Sequence, residues 1–198
     1  FSFYAIIVGS NIFILFILVC FFISIYEWHS MTRKKKYNII GFVFILISFY
    51  LTYKLRFDFS KSYIYFLLTL VICISTDIGG FFFGKLFKGP KLSKISPNKT
   101  YSGVVGSYFI SFLVTYILLT FELEDFKFSI VNNIYLFVLF ISTISQIGDI
   151  VISYFKRLSN LKDTGKIIPG HGGLLDRIDG MIFAFPLAYV LLLTNLFK

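Results

Sequence analysis

Cysteine, charge and acidic side chains are scarce in this sequence, and each scarcity narrows the reading. Of 198 residues only two are cysteines, Cys20 and Cys73. Both lie inside apolar runs, away from any Cys or His at ligand spacing, so they read as buried apolar thiols rather than metal ligands. Only 15% of residues are charged, against roughly a quarter in soluble domains. In their place 57% are hydrophobic and 21% aromatic, with a mean hydropathy of +0.83. No internal repeat, low-complexity tract or soluble domain is apparent. No charged segment with a small-residue cleavage site stands near Phe1, so no removable leader is expected. A chain that starts at Phe1 is itself expected to lack its natural start.

What is present is a series of long oily runs, and runs of about 18 or more apolar residues read as transmembrane helices. Six segments emerge: Tyr4 to Tyr26, Tyr37 to Tyr53, Ser62 to about Phe83 with Asp77 inside it, Val104 to Phe121, Ile134 to Ile152 with Asp149 inside it, and Met181 to Leu196. The expected fold class is an all-α polytopic membrane protein of about six transmembrane helices with a cytoplasm-facing polar site. Residues 1–74 read as scaffold and residues 75–198 as the catalytic region. The net charge of +9 does not point to nucleic acid, because it sits in loops between oily segments. Fourteen of the nineteen basic residues fall in the loops after segments one, three and five. The positive-inside rule puts those loops in the cytoplasm and both chain ends on the opposite side.

Polar residues in such a chain carry the functional signal. Asp77 and Asp149 sit in apolar segments, where a carboxylate is costly unless paired, metal-bound or facing water. An acid at a helix end, reaching the interface, is the plainer explanation. The longest stretch without a strong apolar block, Ser153 to Asp179, gathers Lys156, Arg157, Lys162, Lys166 and Arg177 beside Asp163, Asp176, Asp179 and His171. Asp176 and Asp179 are three apart, so on a helical turn they share a face and can grip one divalent ion. The plainer alternative is that they cap the helix that opens segment six. Hard oxygen ligands without cysteine point to Mg²⁺ rather than zinc. Glycines around His171 permit a tight turn whose N–H groups face an anion. His171 itself suits acid–base or phosphate-donor work, or a plain turn. Lys99, Lys156, Arg157 and Lys162 suit phosphates beside Mg²⁺. This set fits metal-assisted phosphoryl or nucleotidyl transfer on a lipid, without naming the substrate.

The spacing carries more. Ser153-Tyr-Phe-Lys156-Arg157, Lys162-Asp163-Thr-Gly165, Pro169-Gly170-His171-Gly172-Gly173 and Asp176-Arg177-Ile-Asp179 lie within 27 residues in a pattern that resembles the motif of the phosphatidate cytidylyltransferase (CDP-diacylglycerol synthase) family. Asp77-Ile-Gly-Gly-Phe-Phe-Phe-Gly84, Ser96-Pro97-Asn-Lys99-Thr100 with Gly103, and Gly148-Asp149 resemble its upstream segments, so the resemblance runs from about Ser75 to the C-terminus. Tyr101-Ser102 stands where the family commonly has Trp-Glu.

The resemblance implies the reaction of CTP with phosphatidic acid to give CDP-diacylglycerol and pyrophosphate. It implies that Asp149 and Asp176 hold a Mg²⁺ centre, to which chemistry adds Asp77 and Asp179, with room for a second cation. Asp149, Asp176, Lys156, Arg157, Lys162 and His171 are the expected catalytic residues. Ser96, Lys99, Thr100, Asp163 and Arg177 are expected to bind substrate. The partners implied are CTP, phosphatidic acid and the bilayer, not nucleic acid, with a homodimer left open. The setting implied is a bacterial plasma membrane with the site facing the cytoplasm. Competing readings are a CTP-dependent enzyme with another lipid acceptor, and an ion or proton carrier using Asp77 and Asp149. The dense polar stretch counts against a carrier.

Overall fold

The computed structural model describes residues 10–33, 35–59, 62–92, 96, 99–120, 133–167, 172–194 and 197. Their order is α1 (Ser10–Thr32), α2 (Asn38–Phe57), α3 (Ser62–Phe87), α4 (Tyr101–Thr120), α5 (Ile134–Leu158), α6 (Leu175–Ile178) and α7 (Met181–Leu193). Among the described residues the only β pairing is an isolated bridge between Lys91 and Thr100. Five helices, α1 to α5, are long and apolar enough to cross a membrane. Their outward side chains, among them Leu15, Phe22, Ile40, Phe81, Val105 and Phe109, are large, apolar and exposed, as a lipid-facing surface requires. The chain is an all-α integral membrane bundle.

The sixth expected segment is a helix of 13 residues, about 20 Å long and too short to span the hydrocarbon core alone. It is nevertheless almost continuous with α6, because Leu174, Asp179 and Gly180 keep right-handed helical angles. At the Asp179-Gly180 junction the Gly180 N–H donates to the Asp179 carboxylate at 2.8 Å, and the backbone packs closely on α5. A Cβ on Gly180 would strike Ser145 of α5, and one on Gly148 would meet the Asp179 carbonyl oxygen at 2.9 Å. Pro186 lies inside α7 and brings no N–H, which leaves the Ile182 carbonyl without its helical donor. Ser48 of α2, fully buried, donates to that carbonyl and restores the bond across helices.

Close approach of backbones builds the half of the bundle around Asp77. Gly79, Gly80 and Gly84 of α3 face Gly103 and Gly106 of α4, and a Cβ on Gly79 or Gly106 would run into the opposite helix. Without a hydrophobic drive between helices in lipid, such small-residue seams and hydroxyl bonds supply the packing. Thr76 donates to Ser142 of α5 at 3.0 Å, Ser107 of α4 donates to the Thr76 carbonyl at 2.8 Å, and Tyr108 bonds Thr143 at 2.8 Å. At the same end of the molecule Trp28 of α1 packs on Phe155 of α5, and Tyr37 bonds Ser159 at 3.2 Å. The C-terminal ends of α1, α3 and α5 therefore gather on one side, which is also the side that holds the polar residues.

Candidate active site

A cavity of about 470 Å³ opens at that end. α3 contributes Asp77, α5 contributes Asp149 and Lys156, the segment before α4 contributes Ser96, Lys99 and Thr100, and the segment after α5 contributes Asp163, Asp176, Arg177 and Asp179. Ten of the expected site residues thus line one space. Asp77 and Asp149, expected on one cavity, share it. Arg157 and Lys162 are exposed and do not line it, and Arg157 donates to the Leu161 carbonyl at 3.2 Å. His171 lies outside the described residues.

Local structure explains each placement. The chain between α3 and α4 folds back on itself: Leu92 N–H donates to the Lys99 carbonyl at 2.8 Å and Tyr101 N–H to the Pro90 carbonyl at 3.1 Å. Thr100 then caps α4, its hydroxyl accepting from the Gly103 N–H at 3.1 Å. The hydroxyl expected to meet substrate therefore also starts the helix. This return aims Lys99 at α5, where its ammonium pairs with Asp149 at 2.6 Å and reaches the Gln146 carbonyl at 3.2 Å. The other Asp149 oxygen accepts from Ser153 at 3.2 Å.

Asp176 is held differently. Its Oδ1 accepts from Lys156 at 2.8 Å, and its Oδ2 accepts from the N–H groups of Thr164 and Gly173 at 2.8 and 3.0 Å. The Thr164 hydroxyl lies 3.0 Å from the same oxygen. Burial alone would raise the pKa of this carboxyl, but Lys156 and the two N–H donors bring it below the ordinary value of 3.8. Asp179 goes the other way. Burial, then the nearby Asp149 carboxylate, push it well above 3.8, against the pull of Lys156 and the Gly180 N–H.

The donor set around the cavity is entirely hard oxygen, which fits Mg²⁺. Among the described residues no three acidic, His or Cys side chains form a ready-made cage. Mg²⁺ does not need one, since it commonly binds one or two carboxylates with water and substrate phosphates. Asp149, with Asp77 or Asp179 beside it and the lysine-held Oδ1 of Asp176 opposite, could supply them.

Carboxylates and lysines from three separated stretches thus meet on one cavity at the end of an apolar bundle. The model of the Cytidylyltransferase family matches residues 40–195. The chain belongs to that family. It is 40% identical to the phosphatidate cytidylyltransferase of Rickettsia felis over 172 residues, which cover 82% of this chain and 74% of the relative. It is 40% identical to that of Rickettsia prowazekii over 173 residues, 82% of this chain and 73% of the relative. To that of Staphylococcus haemolyticus it is 35% identical over 195 residues, 84% of this chain and 72% of the relative.

One residue of this cytidylyltransferase family member escaped the sequence reading. Glu27 looks like the polar end of segment one, yet α1 continues to Thr32 and the Glu27 side chain is 1% exposed. It accepts from the N–H groups of Leu174 and Leu175 at 2.9 and 2.8 Å, and its Oε2 lies 3.1 Å from the Thr164 hydroxyl. The available signal was a carboxylate inside a membrane helix, the same one that singled out Asp77 and Asp149.

Proposed function

We propose that this chain transfers the cytidylyl group of CTP to the phosphate of phosphatidic acid, giving CDP-diacylglycerol and pyrophosphate at the cytoplasmic face of a bacterial plasma membrane. The observation that carries the reading is the one cavity lined by Asp77, Lys99, Asp149, Lys156, Asp176 and Asp179, in a family member 40% identical to named phosphatidate cytidylyltransferases. A cavity of about 470 Å³ is of the size that takes a small-molecule ligand such as a nucleotide. Its position at the end of an apolar bundle lets a lipid phosphate arrive from the membrane surface.

Both substrates are anions, so bringing them together is mainly a problem of charge. Lys99 and Lys156 lie within reach of the cavity and are held by Asp149 and Asp176. When phosphates enter, these ammonium groups can turn from carboxylate to phosphate. Arg177 lines the same wall and adds positive charge. A phosphate oxygen of phosphatidic acid attacks the α-phosphorus of CTP in line, the bond to the β,γ-pyrophosphate breaks, and pyrophosphate leaves with that electron pair. No covalent enzyme intermediate is needed, since the lipid phosphate is already nucleophilic once positioned. Asp149 and Asp176, with Asp77 and Asp179, would hold Mg²⁺, which when bound neutralises phosphate charge.

The test is product formation from CTP and phosphatidic acid in detergent, with Mg²⁺ present or chelated. CDP-diacylglycerol and pyrophosphate, formed by wild type and lost on chelation, support the reading. Release of CDP with phosphorylated lipid would move the chain to a kinase-like reaction. Absence of any CTP turnover by folded protein would sink the proposal.

A further inference from the structure

Three successive N–H groups, those of Gly173, Leu174 and Leu175, point at two carboxylates from distant parts of the chain. Asp176 takes the first, and Glu27 of α1 takes the second and third. The Thr164 hydroxyl stands between the two acids, 3.0 Å from Asp176 Oδ2 and 3.1 Å from Glu27 Oε2. Space is kept for the Glu27 carboxylate by glycines. A Cβ on Gly165 would come within 2.7 Å of Glu27 Oε1, and one on Gly173 would strike both Thr164 and Glu27. Thr164 and Gly165 on one side and Gly173 to Leu175 on the other are therefore packed around a side chain from the first helix.

We propose that Glu27 is a positioning residue for the reaction. It touches neither nucleotide nor lipid, and it acts through Thr164 and the Gly173–Leu175 backbone to set Asp176 and, through Asp176, Lys156. The role rests on the cytidylyl-transfer reading. Chemistry favours a carboxylate here, since the Leu174 and Leu175 N–H groups meet opposite oxygens and only an acceptor on both satisfies them. Glutamine has the same shape but replaces one acceptor with an NH₂ group, which must face an N–H or the Thr164 hydroxyl.

The experiment compares wild type with Glu27→Gln, both purified as monodisperse protein in detergent. Turnover per folded molecule with CTP and phosphatidic acid is measured across Mg²⁺ concentration, together with backbone amide exchange of the 164–176 segment. Glu27→Gln is expected to lower kcat at least about tenfold, to raise the Mg²⁺ needed for half-maximal rate, and to speed exchange in that segment, with KM for CTP changed far less. A merely structural residue would reduce the yield of folded protein and leave kcat and the Mg²⁺ requirement per folded molecule alone. Wild-type kcat and unchanged exchange in the variant overturn the proposal. Where Glu27→Gln does not fold, Thr164→Val carries the same measurements, and Thr164→Ser is expected to recover most of the loss. Failure of both Glu27→Gln and Thr164→Val to fold assigns Glu27 to folding and overturns the proposal too. No product from folded wild type sinks the cytidylyl-transfer reading instead, and unchanged exchange in the variant still overturns the role of Glu27.

Discussion

The two lysine–carboxylate pairs in the cavity are close in length but not in construction. Lys99–Asp149 is 2.6 Å long, with side chains 23% and 32% exposed, and Asp149 is held by the side chains of Lys99 and Ser153. Lys156–Asp176 is 2.8 Å long, with side chains only 11% and 10% exposed, and Asp176 is also bonded to two backbone N–H groups. A carboxylate held by side chains can change partners when a ligand arrives, at the cost of rotating a lysine. A carboxylate held by backbone cannot let go without opening the segment that carries it. Asp149 is thus built to exchange, and Asp176 to hold on one oxygen while offering the other.

The largest effect should follow loss of Asp149. Asp149→Asn keeps shape and packing, removes the charge that Lys99 meets, and is expected to lower CDP-diacylglycerol formation by roughly 10²–10³-fold. Thermal unfolding in detergent should move little, since the site is open enough for water to serve Lys99. A large fall in the melting temperature would erase the contrast, by making Asp149 a structural acid as well.

Asp176→Asn should cost activity to a similar or smaller degree and also cost stability. An amide group would face the Thr164 or Gly173 N–H, and Lys156 would be left buried without its partner. Breaking a buried pair on one side costs about 3 kcal/mol, readable by denaturation in detergent. Acid titration sharpens the same point. The Asp176 carboxyl is held below its ordinary value of 3.8, so the folded state binds its proton less readily than the unfolded chain. Its contribution to stability is complete above that value and disappears as pH falls through the lower, folded one. Protection of the 164–176 segment should therefore be flat from neutral pH to about 4 and decline below it. A decline that begins near neutrality would contradict the arrangement.

How far this was legible in the sequence differs between fold and site for physical reasons. The five spanning helices show as apolar runs because lipid demands them. The sixth run, Met181 to Leu196, promised a span of its own. Its helix is set off from α6 at Asp179-Gly180, where the Gly180 N–H goes to the Asp179 carboxylate and Gly180 packs closely on Ser145 of α5. Asp77 and Asp149 could be singled out because an acid among apolar residues needs a reason, and Asp176 and Asp179 because they stand three apart in a dense polar stretch. Their placement on one cavity is what that reason looks like in space. Glu27 was hidden by a misjudged helix end: placed at residue 26, the segment leaves Glu27 at the surface, whereas α1 carries it inside. Charge alone also misleads about direction. Arg157 follows Lys156 on α5, but a helix turns about 100° per residue and only Lys156 lines the cavity, while Lys162 lies beyond the end of α5.

A smaller effect is expected from the α3–α4 seam, which supports Asp77 without touching the chemistry. Gly106→Val drives a branched side chain into Phe83 and the Gly79 carbonyl. The helices must separate, which is expected to cost about 1–3 kcal/mol. Activity per folded molecule should fall severalfold as Asp77 and Lys99 drift apart, well short of the loss from Asp149→Asn. An equal loss of activity would mean that the seam, and not the carboxylate pairs, limits the reaction.

The smallest effect should come from a third pair, Lys54–Asp58, which has similar length and lies at the opposite end of the bundle. Its ammonium and carboxylate are 3.1 Å apart, and Tyr189 donates to the same acid at 2.9 Å. Both side chains are about a third exposed, so water competes for each partner and salt screens what remains. Asp58→Asn is expected to leave CDP-diacylglycerol formation and the melting temperature within error of wild type. The comparison matters because all three pairs look alike by distance. If the exposed pair proved as costly to break as Lys156–Asp176, ion-pair length rather than backbone anchoring would set the energetics. Indifference at Asp58 together with sensitivity at Asp176 would place the difference in the N–H groups of Thr164 and Gly173.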